Sequence, residues 1–235
     1  MSTYFETVSK SYVDVPVSDA GVDTLAFLEA TEGLIKMFDL LGNSAFAIVQ
    51  NDMNGNVTKI RNRYLATPTQ SATLEQLVDN EKGEKKRTAT EGLLWLLRGL
   101  KFTQVALARS QADKKEELAD SFTKAYEQTL KKYHSFVVKP LFTVSPTSVH
   151  SSLPRLYKGC SLRARGMIEH ERRTNTRREQ QLAMKACPYR KDFYAKLGPP
   201  EAPVDSELSK WNAALSDIIA RLEAFYEKTN AAKGM

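Results

Sequence analysis

The amino-acid sequence predicts a predominantly helical chain. Apolar residues recur at three- and four-residue spacing through one stretch after another, glycine or proline punctuates the gaps, and a Thr-Ala-Thr-Glu run at Thr88 has the form of a helix start. The 235 residues, 42% hydrophobic and 26% charged, suffice for one sizeable core, so a single soluble globular domain spanning 1–235 is the default expectation.

The first twenty or so residues carry Pro16, Gly21 and short polar runs and read as an arm or an irregular lead-in. From Asp23 the pattern changes: Phe27, Leu28, Leu34, Ile35, Phe38 and Leu41 fall at helical spacing, and Gly42 stops them. A second helix is expected from about Asn43 to Tyr64, with Phe46, Val49, Met53, Ile60 and Tyr64 as its core positions. Gly55 lies inside it at a cost of roughly 1 kcal/mol relative to Ala, either admitting a close approach to the backbone or merely tolerated. Pro68 breaks the pattern before a short helix over 72–80, and EKGEKKR reads as a loop.

Thr88 to Glu91 then reads as a capping box in front of a helix that carries Leu94, Trp95, Leu97, Leu100, Phe102, Val105 and Leu107 and ends near Ser110. Another long helix follows Asp113, marked by Leu118, Phe122, Tyr126, Leu130, Tyr133 and Val137 and kinked or ended by Pro140. Lys191 to Leu197 forms a helix closed by Gly198-Pro199-Pro200. Leu208, Trp211, Leu215, Ile218, Ile219, Leu222 and Phe225 form a last amphipathic one, mainly core.

Composition narrows the function classes. No apolar run is long enough to span a bilayer, and MSTYFETVSKSY lacks the basic start and apolar core of a signal peptide, so a cytoplasmic protein is expected. Two cysteines, Cys160 and Cys187, argue against a disulfide framework, and neither has metal-ligand spacing; no metal or cofactor is expected. Neither cysteine and none of His134, His150 and His170 sits in a recognisable catalytic motif, which points away from an enzyme. The net charge of +6 is concentrated in Val144 to Gln181, where eight Lys and Arg face three Glu.

One polar pattern stands out. Asp52, Asn56 and Lys59 fall at i, i+4 and i+7, one stripe of a helix. It is either a solvated face with a weak Asp-to-Lys pairing or a set of acceptor, amide and cation able to grip a polyhydroxylated or amide-bearing group. Trp95 and Phe102 share a face with Arg98 close by, where a tryptophan serves as core or as a binding platform. His134 is by itself as compatible with a hydrogen-bonded structural role as with a ligand-binding one.

Six separated pieces, FLEA at Phe27, MFDLLG at Met37, DMNGNVTKI at Asp52, ATEGLLWLLRGLKF at Ala89, KAYEQTLKKYHSFVV at Lys124 and ACPYRKDFYAKLG at Ala186, resemble the glycolipid transfer protein family, most of all its fungal heterokaryon-incompatibility members. The resemblance implies an all-α, two-layer sandwich of about eight helices that encloses hydrocarbon chains and has no catalytic activity. It implies further that Asp52, Asn56 and Lys59 hydrogen-bond the first sugar, Trp95 carries the stacked sugar ring, and His134 meets the ceramide amide together with Asp52. Arg98 matches a cation of positional role. Phe38 and Phe102 match positions near the hydrocarbon pocket, although ordinary core packing suits them equally. Phe136 matches an aromatic that touches the membrane, with a buried phenylalanine as the alternative.

The implied protein is a monomer that binds a glycosphingolipid, touches membranes transiently and carries or senses the lipid. A ceramide-1-phosphate carrier is the alternative; Trp95 stands where such relatives place a headgroup cation, which favours a neutral sugar. EKTNAAKGM lacks the terminal tyrosine of the animal protein, so no ligand contact is expected there. The segment 144–181 departs from the family: joining Thr143 to Leu182 restores its pattern. The segment reads either as a retained intron translated in frame, which sequencing the mature message decides, or as a basic loop for anionic lipid or nucleic acid. No nucleic-acid partner is expected from the rest of the chain.

Overall fold

A computed structural model describes residues 2–42, 46–133 and 187–234. Eight α-helices lie among them: α1 (Tyr4–Thr7), α2 (Thr24–Met37), α3 (Ala47–Ala66), α4 (Leu74–Asn80), α5 (Thr88–Ala112), α6 (Leu118–Gln128), α7 (Arg190–Leu197) and α8 (Val204–Thr229). The sheet content of the described residues is one short hairpin, β1 (Val17–Ser18) antiparallel to β2 (Gly21–Val22). The long helix α5 is central and packs on α3, α6 and α8, while α2 packs on α3. The expectation of a helical chain of about eight helices holds.

The first twenty residues are not a loose arm. Phe5 and Tyr12 are buried, with ring centroids 5.8 and 5.1 Å from that of Trp211 on α8, and the Tyr12 hydroxyl donates to Thr31 Oγ1 at 3.0 Å. Burial pushes the Tyr12 phenol well above its ordinary range, so it stays a neutral donor. The hairpin is tied down by Glu75 on α4, which accepts from Val22 N at 2.8 Å and from Arg221 Nε at 2.8 Å. Gly21 is required there: its φ is 137°, and a Cβ would lie 2.3 Å from Glu75 Oε2. Polar composition concealed this docking because a few aromatic anchors, rather than a periodic face, hold the segment.

Helix α2 starts at Asp23, whose side chain accepts from Ala26 N at 2.8 Å, and ends through a 3-10 turn, Phe38–Leu41, at Gly42 with φ 68°. Of the core positions expected on α3, Phe46, Val49, Met53 and Ile60 are buried and Tyr64 is half-buried; the expected start at 43–45 lies outside the described residues. Gly55 is exposed, and a Cβ on it would meet nothing within 4 Å, so no packing against the rest of the described chain requires a glycine there.

The capping box expected at Thr88 does not form. Glu91 N already donates to Arg87 O at 2.9 Å, so the helix begins one residue earlier and Thr88 lies within its first turn. Buried Glu81 caps α5 instead, accepting from Ala89 N at 3.0 Å and from Thr90 N and Oγ1 at 2.7 Å each. A carboxylate against free N–H groups suits the positive end of a helix. Arg87 is used elsewhere: its guanidinium donates to Ala231 O at 3.0 Å and Lys233 O at 2.7 Å, fastening the last described residues to the start of α5.

The helix after Asp113 is shorter than its periodicity suggests. It stops at Gln128, where Thr129 bonds its hydroxyl back to Ala125 O and Lys131 N reaches Tyr126 O in a wide turn. Tyr133, expected as core, is 40% exposed; Val137 and Pro140 lie outside the described residues. Ahead of α6, Glu116 gathers Arg109, Ser121 and Lys124 around one carboxylate and so ties α5 to α6. The bond from Lys124, with those from Ser121 and Arg109, holds its carboxyl down to about 2 against a partial opposing effect of burial.

Two expectations follow. Glu81→Ala leaves the Ala89 and Thr90 N–H groups without their acceptor and should cost about 2–3 kcal/mol, lowering the melting temperature by about 5–10 °C; thermal unfolding monitored by circular dichroism checks this. Because the folded-state pKa of Glu116 lies below its ordinary 4.5, its contribution is complete above 4.5 and lost as pH falls toward about 2. Glu116→Gln should therefore be less stable than the parent at neutral pH and lose less on acidification through that window, as urea titrations at stepped pH would show.

Candidate functional site

The polar stripe of α3 faces α5. Asn56 is buried, and its Oδ1 accepts from Lys59 Nζ at 2.9 Å. The stripe turns its middle residue inward and folds the exposed Lys59 back onto it, at i, i+3. A glycine on α5 makes room. A Cβ on Gly92 would lie 3.1 Å from Lys59 Cδ, 3.2 Å from Lys59 Cβ and 3.5 Å from Asn56 O, so the bare backbone of α5 lets the aliphatic stem of Lys59 lie across it.

Asp52 stands one turn earlier on α3. It is exposed to solvent at its surface, yet partial burial of its carboxyl pushes the pKa above the ordinary 3.8, while the Lys59 charge pulls it back in part. Trp95 follows Gly92 by three positions on α5, hence on the same face, and is half-buried. The Arg98 guanidinium carbon lies 4.5 Å from the centroid of the Trp95 ring and 3.8 Å from that of Tyr133. The α3–α5 crossing thus gathers an acidic acceptor, an amide, an ammonium and an indole with a stacked cation. His134 and Phe136 lie outside the described residues, as does the segment 144–181.

Phe38 and Phe102 are both buried. Phe38 lines an apolar cavity of about 10 Å³ together with Leu34, Met37, Leu107, Phe122 and Phe193. Phe102 does not line it but packs edge-on against Phe122, with centroids 5.5 Å apart. Phe46 continues the series, 5.8 Å from Phe38 and 6.5 Å from Phe122. The space holds about one water molecule.

Two residues of the site escaped the sequence. Gly92 is one glycine within an apolar run, and its importance depends on what another helix lays across it. Tyr133 fitted the apolar spacing of its predicted helix, although its place beside His134 in Lys-Lys-Tyr-His was a signal. Among the described residues no group of three or more His, Cys, Asp or Glu could hold a metal ion, and no helix is long and apolar enough to cross a membrane.

Comparison with known proteins gives this constellation its context. The family model for glycolipid transfer protein (GLTP) matches residues 22–153. A glycolipid transfer protein of Aureobasidium melanogenum is 42% identical over 229 residues, covering 97% of this chain and 95% of that one. Among solved structures, the fungal glycolipid transfer protein HET-C2 superposes with a TM-score of 0.75 at 43% identity, covering 96% of this chain and 97% of that one. FAPP2, described as selecting simple glycosphingolipids using the same fold, superposes with a TM-score of 0.72 at 26% identity, covering 98% of this chain and 97% of that one. With a matching family model, and with sequence and structural likeness running over nearly its whole length, the chain belongs to the glycolipid transfer protein family.

Proposed function

We propose that this protein binds a glycosphingolipid and moves it between membranes without making or breaking covalent bonds. The observation that carries the reading is the Asn56–Lys59 pair laid across Gly92, one turn before Trp95. A sugar presents hydroxyls at its edges and a C–H face, and this crossing supplies directional partners for the first and an indole for the second. Asp52 accepts from sugar hydroxyls and from the ceramide amide N–H, Asn56 and Lys59 donate to the sugar, and His134 meets the amide carbonyl. The family resemblance supports these roles residue by residue.

Transfer requires that hydrocarbon leave a bilayer without meeting water. Each methylene exposed costs roughly 0.8 kcal/mol, so a ceramide with about thirty of them faces a barrier on the order of 20 kcal/mol unassisted. The interior lined by Phe38, Phe122 and Phe193, with Phe102 behind Phe122, is the region we assign to the chains. Exchange between two apolar surroundings is close to thermoneutral and needs no nucleotide. The same reading makes the protein a cytoplasmic monomer that meets membranes transiently, with Phe136 as an interfacial contact. It treats 1–235 as one domain in which 144–181 is an insertion, in keeping with the nearly full-length likeness to relatives.

Purified protein should move fluorescent glucosyl- or galactosyl-ceramide between vesicles in preference to ceramide-1-phosphate, and Asp52→Val or Trp95→Ala should abolish this while melting stays cooperative. Preference for the phosphate, or binding without transfer, would overturn the carrier reading. Acid should also act through Asp52. Hydroxyl and amide donors favour its ionised form, and burial places protonation above 3.8, so transfer should fall as pH is lowered toward that range. Asp52→Asn should be weak at neutral pH and lack this acid limb.

A further inference from the structure

Trp95 is held by more than its own helix. The Arg98 guanidinium is shared between two aromatic faces, at 4.5 Å from the Trp95 centroid and 3.8 Å from the Tyr133 centroid. Lys132 Nζ approaches the Tyr133 ring as well, at 4.9 Å. Trp95 and Arg98, three apart, lie on one face of α5, whereas Tyr133 belongs to the turn after α6 and immediately precedes His134 in the sequence. The stack therefore joins two elements as well as two side chains.

A planar guanidinium is weakly hydrated and can lie flat between two rings; a lysine ammonium is a point charge and cannot. Trp95 is half-buried and Tyr133 is 40% exposed, so these contacts add little to the core while setting how the indole is oriented. A guanidinium and a sugar ring cannot occupy the same face of one indole.

Resting on the carrier reading above, we infer that Arg98 is the positioning residue of the headgroup site. Stacked between Trp95 and Tyr133, it takes one face of the indole, fixes the plane on which the sugar lies at the other face, and holds the turn that leads into His134 against α5. Specificity for a neutral ring then depends on three neighbouring groups, indole, guanidinium and phenol, and not on Trp95 alone.

The test uses the full chain with Arg98→Lys, Tyr133→Leu, their double variant and Tyr133→Phe. Each is measured by glucosylceramide transfer between phosphatidylcholine vesicles, by melting temperature, and by acrylamide quenching of Trp95 in a Trp211→Phe background. Arg98→Lys and Tyr133→Leu should each lower transfer about tenfold and make the indole more accessible to quencher. The double variant should be no worse than either single one, and Tyr133→Phe, which keeps a ring beneath the guanidinium, should recover most of the transfer and quencher protection that Tyr133→Leu loses, with melting temperatures of all four close together. Arg98→Lys equal to the parent in transfer and quenching would overturn the inference, as would losses that simply track melting temperature. If the parent moves no glycolipid, the carrier reading fails, and the quenching series still decides whether the stack orients the indole.

Discussion

The close crossing of α3 over α5 at Gly92 is the constraint on which the site depends. Two helices can bring polar side chains together at a core boundary only if something small stands between them, and here it is a missing Cβ. Because the stem of Lys59 occupies that space, its ammonium is directed onto Asn56 rather than left to wander in solvent. The entropy of a long side chain is thus spent in folding, before any ligand arrives. Trp95 inherits its position from the same crossing, since it lies one turn further along the face that Gly92 opens.

The supports of α5 lie at some distance from that crossing. Glu81 closes its first turn, Arg87 joins that turn to the backbone at Ala231 and Lys233, and the Tyr226 hydroxyl donates to Thr90 O at 2.7 Å. Burial first, with the Glu81 carboxylate adding, pushes the Tyr226 phenol far above its ordinary range and keeps it a donor. Glu116 performs a comparable task between the end of α5 and the start of α6. A rigid central rod anchored at both ends is what a surface site needs if its groups are to hold their mutual geometry.

Much of this was legible in the sequence because helical periodicity is a local signal. The spacing located α2, α3, α5 and α8 and most of their buried residues, and the Asp52, Asn56, Lys59 stripe was visible by counting. What stayed hidden was set by partners distant in the chain. Glu81 looked like part of a charged loop because its partners, the N–H groups at the start of α5, have no side-chain signature. Tyr12 sat in a polar stretch because Trp211, nearly two hundred residues later, supplies its surroundings. Tyr133 obeyed the apolar period of a helix that ends before reaching it, since Thr129 and Lys131 divert the backbone. Asp52 was recognised by type, whereas the burial that raises its pKa belongs to the tertiary structure.

The linked rings of the interior have a mechanical consequence. Phe38, Phe46, Phe122 and Phe102 touch in series, and the first and third of them line the space of about 10 Å³, so none can turn far without its neighbour following. Seated where we propose, an acyl chain would meet a spring rather than a tube of fixed length. Each added carbon would be resisted by the accumulated strain of the rings already displaced, and chain-length preference would then be graded by the stiffness of the core instead of cut off by a wall.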